Sequence, residues 1–248
     1  MKLFVDFVAA LQFLTVLPPL LRRPFSAAEM GRAVAYYPLV GLLLGALLAG
    51  TAYLLDRLFP EAPAAALLLV SWVALTGALH LDGFLDCCDG LLGGATPEWR
   101  LEIMRDHHIG AFAFAGGALL MLVKFAALGA LAGWKVPALL VAPMLGRWAM
   151  TMVIAAFPYA RPAGLGREIK TLAVWRQALF ASIITLLVAW LFAGWRGLAA
   201  LALALLVLLA LARFAMRRIP GLTGDVYGAV CEMVELAVLL LFAARGLV

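Results

Sequence analysis

Uninterrupted apolar runs dominate this chain. Tyr36 to Leu55, Ala111 to Gly133 and Leu198 to Leu211 approach or reach the roughly 20 residues that a helix needs to cross a bilayer. The charge content agrees: 13% of the residues are charged and 66% hydrophobic, whereas an ordinary soluble domain carries about one quarter charged residues. The expected fold is therefore all-α, a polytopic integral membrane helical bundle of about seven to eight spans.

Apolar stretches bounded by Pro, Gly or charge centre near Val8, Gly45, Leu69, Leu120, Leu145, Leu186, Leu205 and Val238. The first is short and contains Asp6, so it is open to being a span, an interfacial helix or a half-helix. Met1 to Leu17 runs into Pro18-Pro19 without a small-residue cleavage site, so no signal peptide is expected there. No linker is long enough to separate domains, and residues 1–248 are expected to form a single integral membrane catalytic domain.

The net charge of +5 does not point to nucleic acid, because Lys and Arg lie mainly between apolar segments and form no continuous basic block. Placing the segment around Arg22, Arg23 and Arg32 in the cytoplasm makes Asp82 to Gly110, Pro158 to Gln177 and Arg213 to Asp225 cytoplasmic too. The other side keeps Lys2, Arg57, Lys135, Arg196 and Arg245, so the positive-inside rule favours this orientation. Every acidic cluster then faces the cytoplasm, from the cytoplasmic (inner) membrane of a bacterium or archaeon. Cys87, Cys88 and Cys231 are too few for a disulfide framework and form no zinc pattern; they read as small packing residues.

The first acidic cluster runs from Thr76 to Gly90, with Asp82, Asp86 and Asp89 at i, i+4 and i+7. In a helix these three share a face, and their carboxylates can converge on one or two divalent cations. Crowded carboxylates at the end of an apolar helix repel one another and need a cation or protons in compensation. All-oxygen ligation points to Mg2+ or manganese, and magnesium commonly bridges carboxylates and substrate phosphates. Gly77, Gly83 and Gly90 would let a bulky ligand approach the backbone. The plainer alternative is a solvated helix end, but no Lys or Arg between Leu79 and Glu98 neutralises the set locally.

Glu102 and Asp106 stand one turn apart beside Arg105, a pair able to add metal ligands or to form the polar face of a surface helix. His80, His107 and His108 read as hydrogen-bonded polar residues, the last two within reach of a phosphate contact. A third cluster opens the last apolar run: Asp225, Glu232 and Glu235 lie close to one helix face. The two glutamates are deep in the run, where acids are functional candidates by default, or else buried hydrogen-bonded groups. Lys124 and Arg147, also inside apolar spans, are their counter-charges or phosphate ligands.

Taken together these residues resemble the cobalamin synthase family, the adenosylcobinamide-GDP ribazoletransferases. The likeness begins at Leu11-Gln12-Phe13-Leu14-Thr15, Arg32 and Pro38 to Gly45, and is strongest in Thr-Gly-x-x-His-Leu-Asp-Gly-x-x-Asp-x-x-Asp-Gly at Thr76 to Gly90. It continues through Leu101 to Asp106 with Gly110, Lys124, Arg147, Tyr159-Ala160-Arg161 with Gly164-Leu165-Gly166, and Thr223-Gly224-Asp225 with Gly228, Glu232 and Glu235. The chain departs from the family pattern at His107-His108 and at Pro220-Gly221-Leu222.

The resemblance implies a magnesium-dependent reaction in which adenosylcobinamide-GDP and alpha-ribazole, or its 5'-phosphate, give adenosylcobalamin, or its phosphate, and GMP. Asp82, Asp86 and Asp89 are then the expected catalytic metal ligands, with Glu102 and Asp106 as further metal candidates. Lys124, Arg147 and Arg161 are candidate pyrophosphate contacts, and Asp225, Glu232 and Glu235 either complete the metal site or hold the second substrate. Expected partners are these substrates and the lipid bilayer, with a homo-oligomer or other cobamide-assembly enzymes left open. Two rivals are a CDP-alcohol phosphotransferase, whose motif Asp86-Cys87-Cys88-Asp89 interrupts, and a cation-coupled transporter, whose acids should sit nearer the midplane.

Overall fold

The computed structural model describes residues 2–173 and 175–245, and all regular structure among them is helical. Helix α1 (Lys2–Leu14) buries Val8, Ala9, Ala10 and Leu14, and its buried Asp6 accepts two hydrogen bonds from Arg32, at 2.8 and 2.9 Å. Arg32 belongs to α2 (Ala27–Ala33), which opens on a Ser26–Glu29 capping box. A 3-10 turn leads into α3 (Tyr37–Leu58), with Pro38 in its first turn, where no intrahelical N–H is needed. Then come α4 (Glu61–Thr76), α5 (Leu79–Gly93), the short α6 (Pro97–Ile103), α7 (Ala111–Gly129), α8 (Lys135–Ala156), the short α9 (Leu165–Leu172), α10 (Trp175–Met216) and α11 (Gly224–Ala243).

Helix α8 is the axis of the bundle. It is buried almost without interruption from Ala138 to Ile154, and α3, α10 and α11 pack around it. A hydrophobic driving force is absent between helices in lipid, so close backbone approach has to supply the packing energy. Gly41 and Gly45 of α3, spaced four apart, meet that need. A Cβ at either would stand 2.3 Å from the carbonyl oxygens of Pro143 and Leu139 on α8. Pro143 donates no N–H to Leu139, so the carbonyl facing Gly45 is the one its own helix leaves free.

Among the described residues five helices are long and apolar enough to cross a bilayer, or six if the bent pair α4–α5 is one broken span. The expected seven to eight is not reached on that count, for two physical reasons. Helix α1 has 13 residues, well short of about 20, and its Asp6–Arg32 ion pair ties it to α2. Helix α10 spans 42 residues, which if straight would be about twice the hydrocarbon thickness. It breaks at Gly194, where φ is 52° and ψ −131°, a conformation that L side chains rarely adopt. A Cβ at Gly197 would lie 2.0 Å from the Ala189 carbonyl oxygen, so the chain reverses there into a hairpin, closed by Trp190 edge-on to Trp195. The apolar stretches centred near Leu186 and Leu205 are its two arms.

Helices α4 and α5 meet at 91°. Gly77 and Ala78 both take left-handed φ, 60° and 57°, which ends α4 and restarts the chain in a new direction. The acidic cluster is thus helical, as its spacing suggests, and lies on α5 alongside the start of α11. Gly83 and Gly90 accommodate protein, not ligand: a Cβ at Gly83 would meet the Asp225 backbone at 2.9 Å, and one at Gly90 the Met104 side chain at 2.5 Å.

Candidate active site

Two neighbouring cavities open where α5 and α11 begin. The first, about 340 Å³, is lined by Asp82, Asp86 and Asp89 of α5, by Arg105, Asp106, His107 and His108 of the loop before α7, and by Arg161. The second, about 230 Å³, is lined by aromatic and aliphatic side chains. Asp82 is the only lining residue the two have in common among the described residues.

The loops around the first cavity are held by backbone. Leu222 N–H donates to the Pro158 carbonyl at 2.8 Å, and Ala160 N–H to the Leu222 carbonyl at 2.8 Å, forming a parallel bridge between Tyr159 and Leu222. This clamp brings Arg161 to Asp225 across 64 residues of sequence, with Nη2 to Oδ2 at 2.7 Å. Thr223 both caps α11 and donates its hydroxyl to Asp225 at 3.1 Å. The Arg161 Nε is buried and makes no hydrogen bond within the protein, which leaves a cationic donor beside the aspartates. Asp86 feels the charges of Asp82, Asp89 and Asp225, with Arg161 opposing them.

The three aspartates of α5 are not equivalent. Asp89 Oδ2 accepts the Gly110 N–H at 2.6 Å and Oδ1 accepts the Ala113 N–H at 2.9 Å, so this carboxylate caps the start of α7, whose first amides have no helical partner. The carboxylates of Asp82 and Asp86 accept no hydrogen bond from any described residue and line the cavity unpaired. Among the described residues, no three His, Cys, Asp or Glu side chains stand together as a metal cage. The donor set instead suits the open kind of magnesium site, in which one or two carboxylates hold an ion that substrate phosphate and water complete.

The remaining candidates divide between the cavity and the bundle interior. Asp106 lines the first cavity, exposed, its carboxyl held below the usual carboxylate range mainly by hydrogen bonds from the His108 ring and backbone. Glu102, on α6, is exposed and lines neither cavity. Lys124, Arg147, Glu232 and Glu235 also line neither; they pair with one another. Lys124 Nζ donates to Glu232 at 2.5 Å and to Glu235 at 2.7 Å, and Arg147 Nη1 donates to the other oxygen of Glu235. The counter-charge alternative for these residues is the arrangement observed, so Asp225 is the member of the third cluster that joins Asp86.

The second cavity was not foreseen as a site from the sequence. It takes in Phe13, Tyr37, His80, Met150, Ile154, Tyr159 and Tyr227 from five separate parts of the chain. Several of its lining residues, Phe13, His80, Asp82, Tyr159 and Asp225, fall inside motifs singled out by sequence, but no motif joined them into one site. A larger cavity, about 820 Å³, lies at the other end of the bundle, where α3, α7 and α11 finish and α8 begins. There Lys135 pairs with Asp56 at 2.8 Å and Arg196 stacks 4.3 Å over Trp134, away from the aspartates.

Comparison with known proteins gives a consistent result. The profile of the cobalamin-5-phosphate synthase family matches residues 6–243. An adenosylcobinamide-GDP ribazoletransferase of Desulforamulus reducens is 38% identical over 241 residues, covering 96% of each chain. Proteins of the same description from Pseudomonas putida strain GB-1 and Stutzerimonas stutzeri are 43% and 44% identical, covering 95% and 93% of this chain and 97% and 94% of their own. No solved structure matches the chain.

Proposed function

Since the chain belongs to the cobalamin-5-phosphate synthase family, we propose that it joins adenosylcobinamide-GDP to alpha-ribazole or alpha-ribazole 5'-phosphate, releasing GMP. The observation that carries this reading is the unpaired Asp82–Asp86 pair facing Arg161 in one cavity, an arrangement that can hold a pyrophosphate and a divalent cation together.

In the proposed reaction a ribazole hydroxyl oxygen bonds to the cobinamide-side phosphorus. The bond from that phosphorus to the bridging oxygen breaks, GMP leaves with the bridging oxygen, and the hydroxyl proton passes to a carboxylate. Asp82 is the candidate acceptor, because it lines both the acidic and the aromatic cavity and has no partner of its own. Asp86, with Asp82 one turn earlier, would hold magnesium, which when bound would neutralise charge on the pyrophosphate and on departing GMP. Arg161 offers its free Nε to the same anion, while Arg105, His107 and His108 add donors from the opposite wall. Neither cavity has room for a corrinoid macrocycle, so only the phosphorylated arm would enter.

The orientation that suits this chemistry puts the cavities on the cytoplasmic face of the inner membrane, supported by Arg100, Arg105, Arg161, Arg167, Arg217 and Arg218 near that end. The test is incubation of purified protein with adenosylcobinamide-GDP, alpha-ribazole 5'-phosphate and magnesium. GMP and a product of the summed mass are expected, with the rate collapsing in excess EDTA. Folded protein that releases no GMP, or that instead makes lipid from a CDP-alcohol, would overturn the reading.

A further inference from the structure

The aromatic cavity contains three polar atoms that the protein leaves without partners. Tyr37 Oη, His80 Nε2 and Tyr227 Oη each make no hydrogen bond, and all three side chains line this one space of about 230 Å³. The residues are 1%, 2% and 5% exposed, so bulk water does not compensate them. A buried polar group without a partner is costly to desolvate, and three at one place is a cost that packing alone would not maintain. Around them stand Phe13, Met150, Ile154 and Tyr159, flat or adaptable apolar surfaces. Asp82 and Asp225 add two carboxylates to the lining, and Asp82 also lines the acidic cavity.

We infer that this cavity binds the benzimidazole ring of the acceptor nucleoside, directing its ribose toward Asp82. The inference rests on the ribazoletransferase reading and assigns each substrate a side of Asp82. Volume decides first, since about 230 Å³ lies below the roughly 300–1,000 Å³ of drug-sized sites and accommodates one flat ring system only. Polarity decides between the two ring systems of the reaction. Guanine carries donors and acceptors around most of its edge, which an apolar wall with three scattered polar atoms would strand. A benzimidazole glycoside has a single open ring nitrogen, which one hydroxyl can meet while the others reach the ribose. The guanine then stays with its phosphates on the Arg161 side.

The experiment uses the full chain in nanodiscs, with alpha-ribazole binding read by calorimetry and both KM values read by GMP release. Tyr37→Phe and Tyr227→Phe remove hydroxyls that have no protein partner, and Ile154→Trp fills the cavity. Each Tyr→Phe change is expected to raise the Kd and KM for alpha-ribazole about 3- to 10-fold, leave the KM for adenosylcobinamide-GDP unchanged, and leave the melting temperature of the ligand-free protein equal or higher. Ile154→Trp should abolish alpha-ribazole binding. The inference is overturned if the KM for adenosylcobinamide-GDP rises instead, or if melting temperature falls while ribazole affinity is unchanged. Absence of GMP release by the unaltered protein would sink the proposed reaction, while the binding arm still decides the cavity's ligand.

Discussion

Deleting the ammonium of Lys124 probes what the buried charges do for the bundle. Lys124 and Arg147 face Glu232 and Glu235, two positive charges against two negative, at exposures of 2%, 1%, 7% and 0%. Lys124→Met keeps the apolar stem of the side chain but removes the ammonium, which also stands 5.1 Å over the Trp72 ring, and it leaves Glu232 with no partner among the described residues and the cluster with one excess negative charge. An exposed ion pair would lose at most about 1 kcal/mol, whereas removing one partner of a buried pair costs about 3–5 kcal/mol. That is a large share of the roughly 5–15 kcal/mol by which a folded protein is stable. Adding Glu232→Gln restores neutrality, so the double variant should recover part of the loss, with a coupling of about 1–3 kcal/mol. Equilibrium unfolding of the purified variants in mixed micelles, followed by near-ultraviolet circular dichroism, measures all four corners of the cycle. A cost below about 1 kcal/mol for Lys124→Met, or a double variant whose cost is the plain sum of the singles, refutes the argument that charge balance holds these helices together.

Asp86→Asn is expected to lower turnover by about 100-fold or more in steady-state assays without lowering the melting temperature, because its carboxylate lines the cavity and accepts no hydrogen bond from the described residues. Asp89→Ala should do the reverse, costing about 0.5–2 kcal/mol through the lost cap of α7 while keeping more activity than Asp86→Asn; equal losses of turnover would return Asp89 to the chemistry. Arg161→Gln should raise the KM for the pyrophosphate substrate about 10-fold more than that for alpha-ribazole, and equal effects on both would make Arg161 a clamp for Asp225 alone. Gly45→Leu drives a side chain into the Leu139 carbonyl and should abolish recovery of folded protein, as followed by fluorescence-detected size exclusion; normal yields would show that α3 and α8 can separate cheaply.

Much of the architecture was legible because a bilayer imposes one length and one polarity on every span. The breaks were less so. Gly77 and Gly194 look like ordinary glycines in apolar surroundings, and only the positive φ at each shows that one turns a helix through a right angle and the other folds an apolar run back on itself. In the same way Asp82, Asp86 and Asp89 read alike in sequence, since spacing on a helix says which residues share a face and nothing about what faces them. Asp89 is set apart by Gly110, 21 residues on, whose amide it caps. The pairing of Lys124 with Glu232 and Glu235 was foreseeable from charge alone, because intramembrane ions of opposite sign seek one another. The aromatic cavity was not, since Phe13 and Tyr159 sit in separate motifs and Tyr37 in none, and only tertiary contacts bring them to one space.

The reversal at Gly194 also bears on how the chain enters the membrane. Two arms joined by so tight a turn cannot be oriented one at a time by the insertion machinery. Arg176 stands at one foot and Arg213, Arg217 and Arg218 at the other, while the tip region carries Arg196 alone. Threading the tip through hydrocarbon takes one cation across, at a cost of about 2.5–3.5 kcal/mol, and the opposite orientation would take four. The hairpin therefore acts as a late topological lock: once inserted it commits the end of α9 and the beginning of α11 to the same surface, so the two flanks of the candidate site arrive together even if an earlier span has gone in the wrong way.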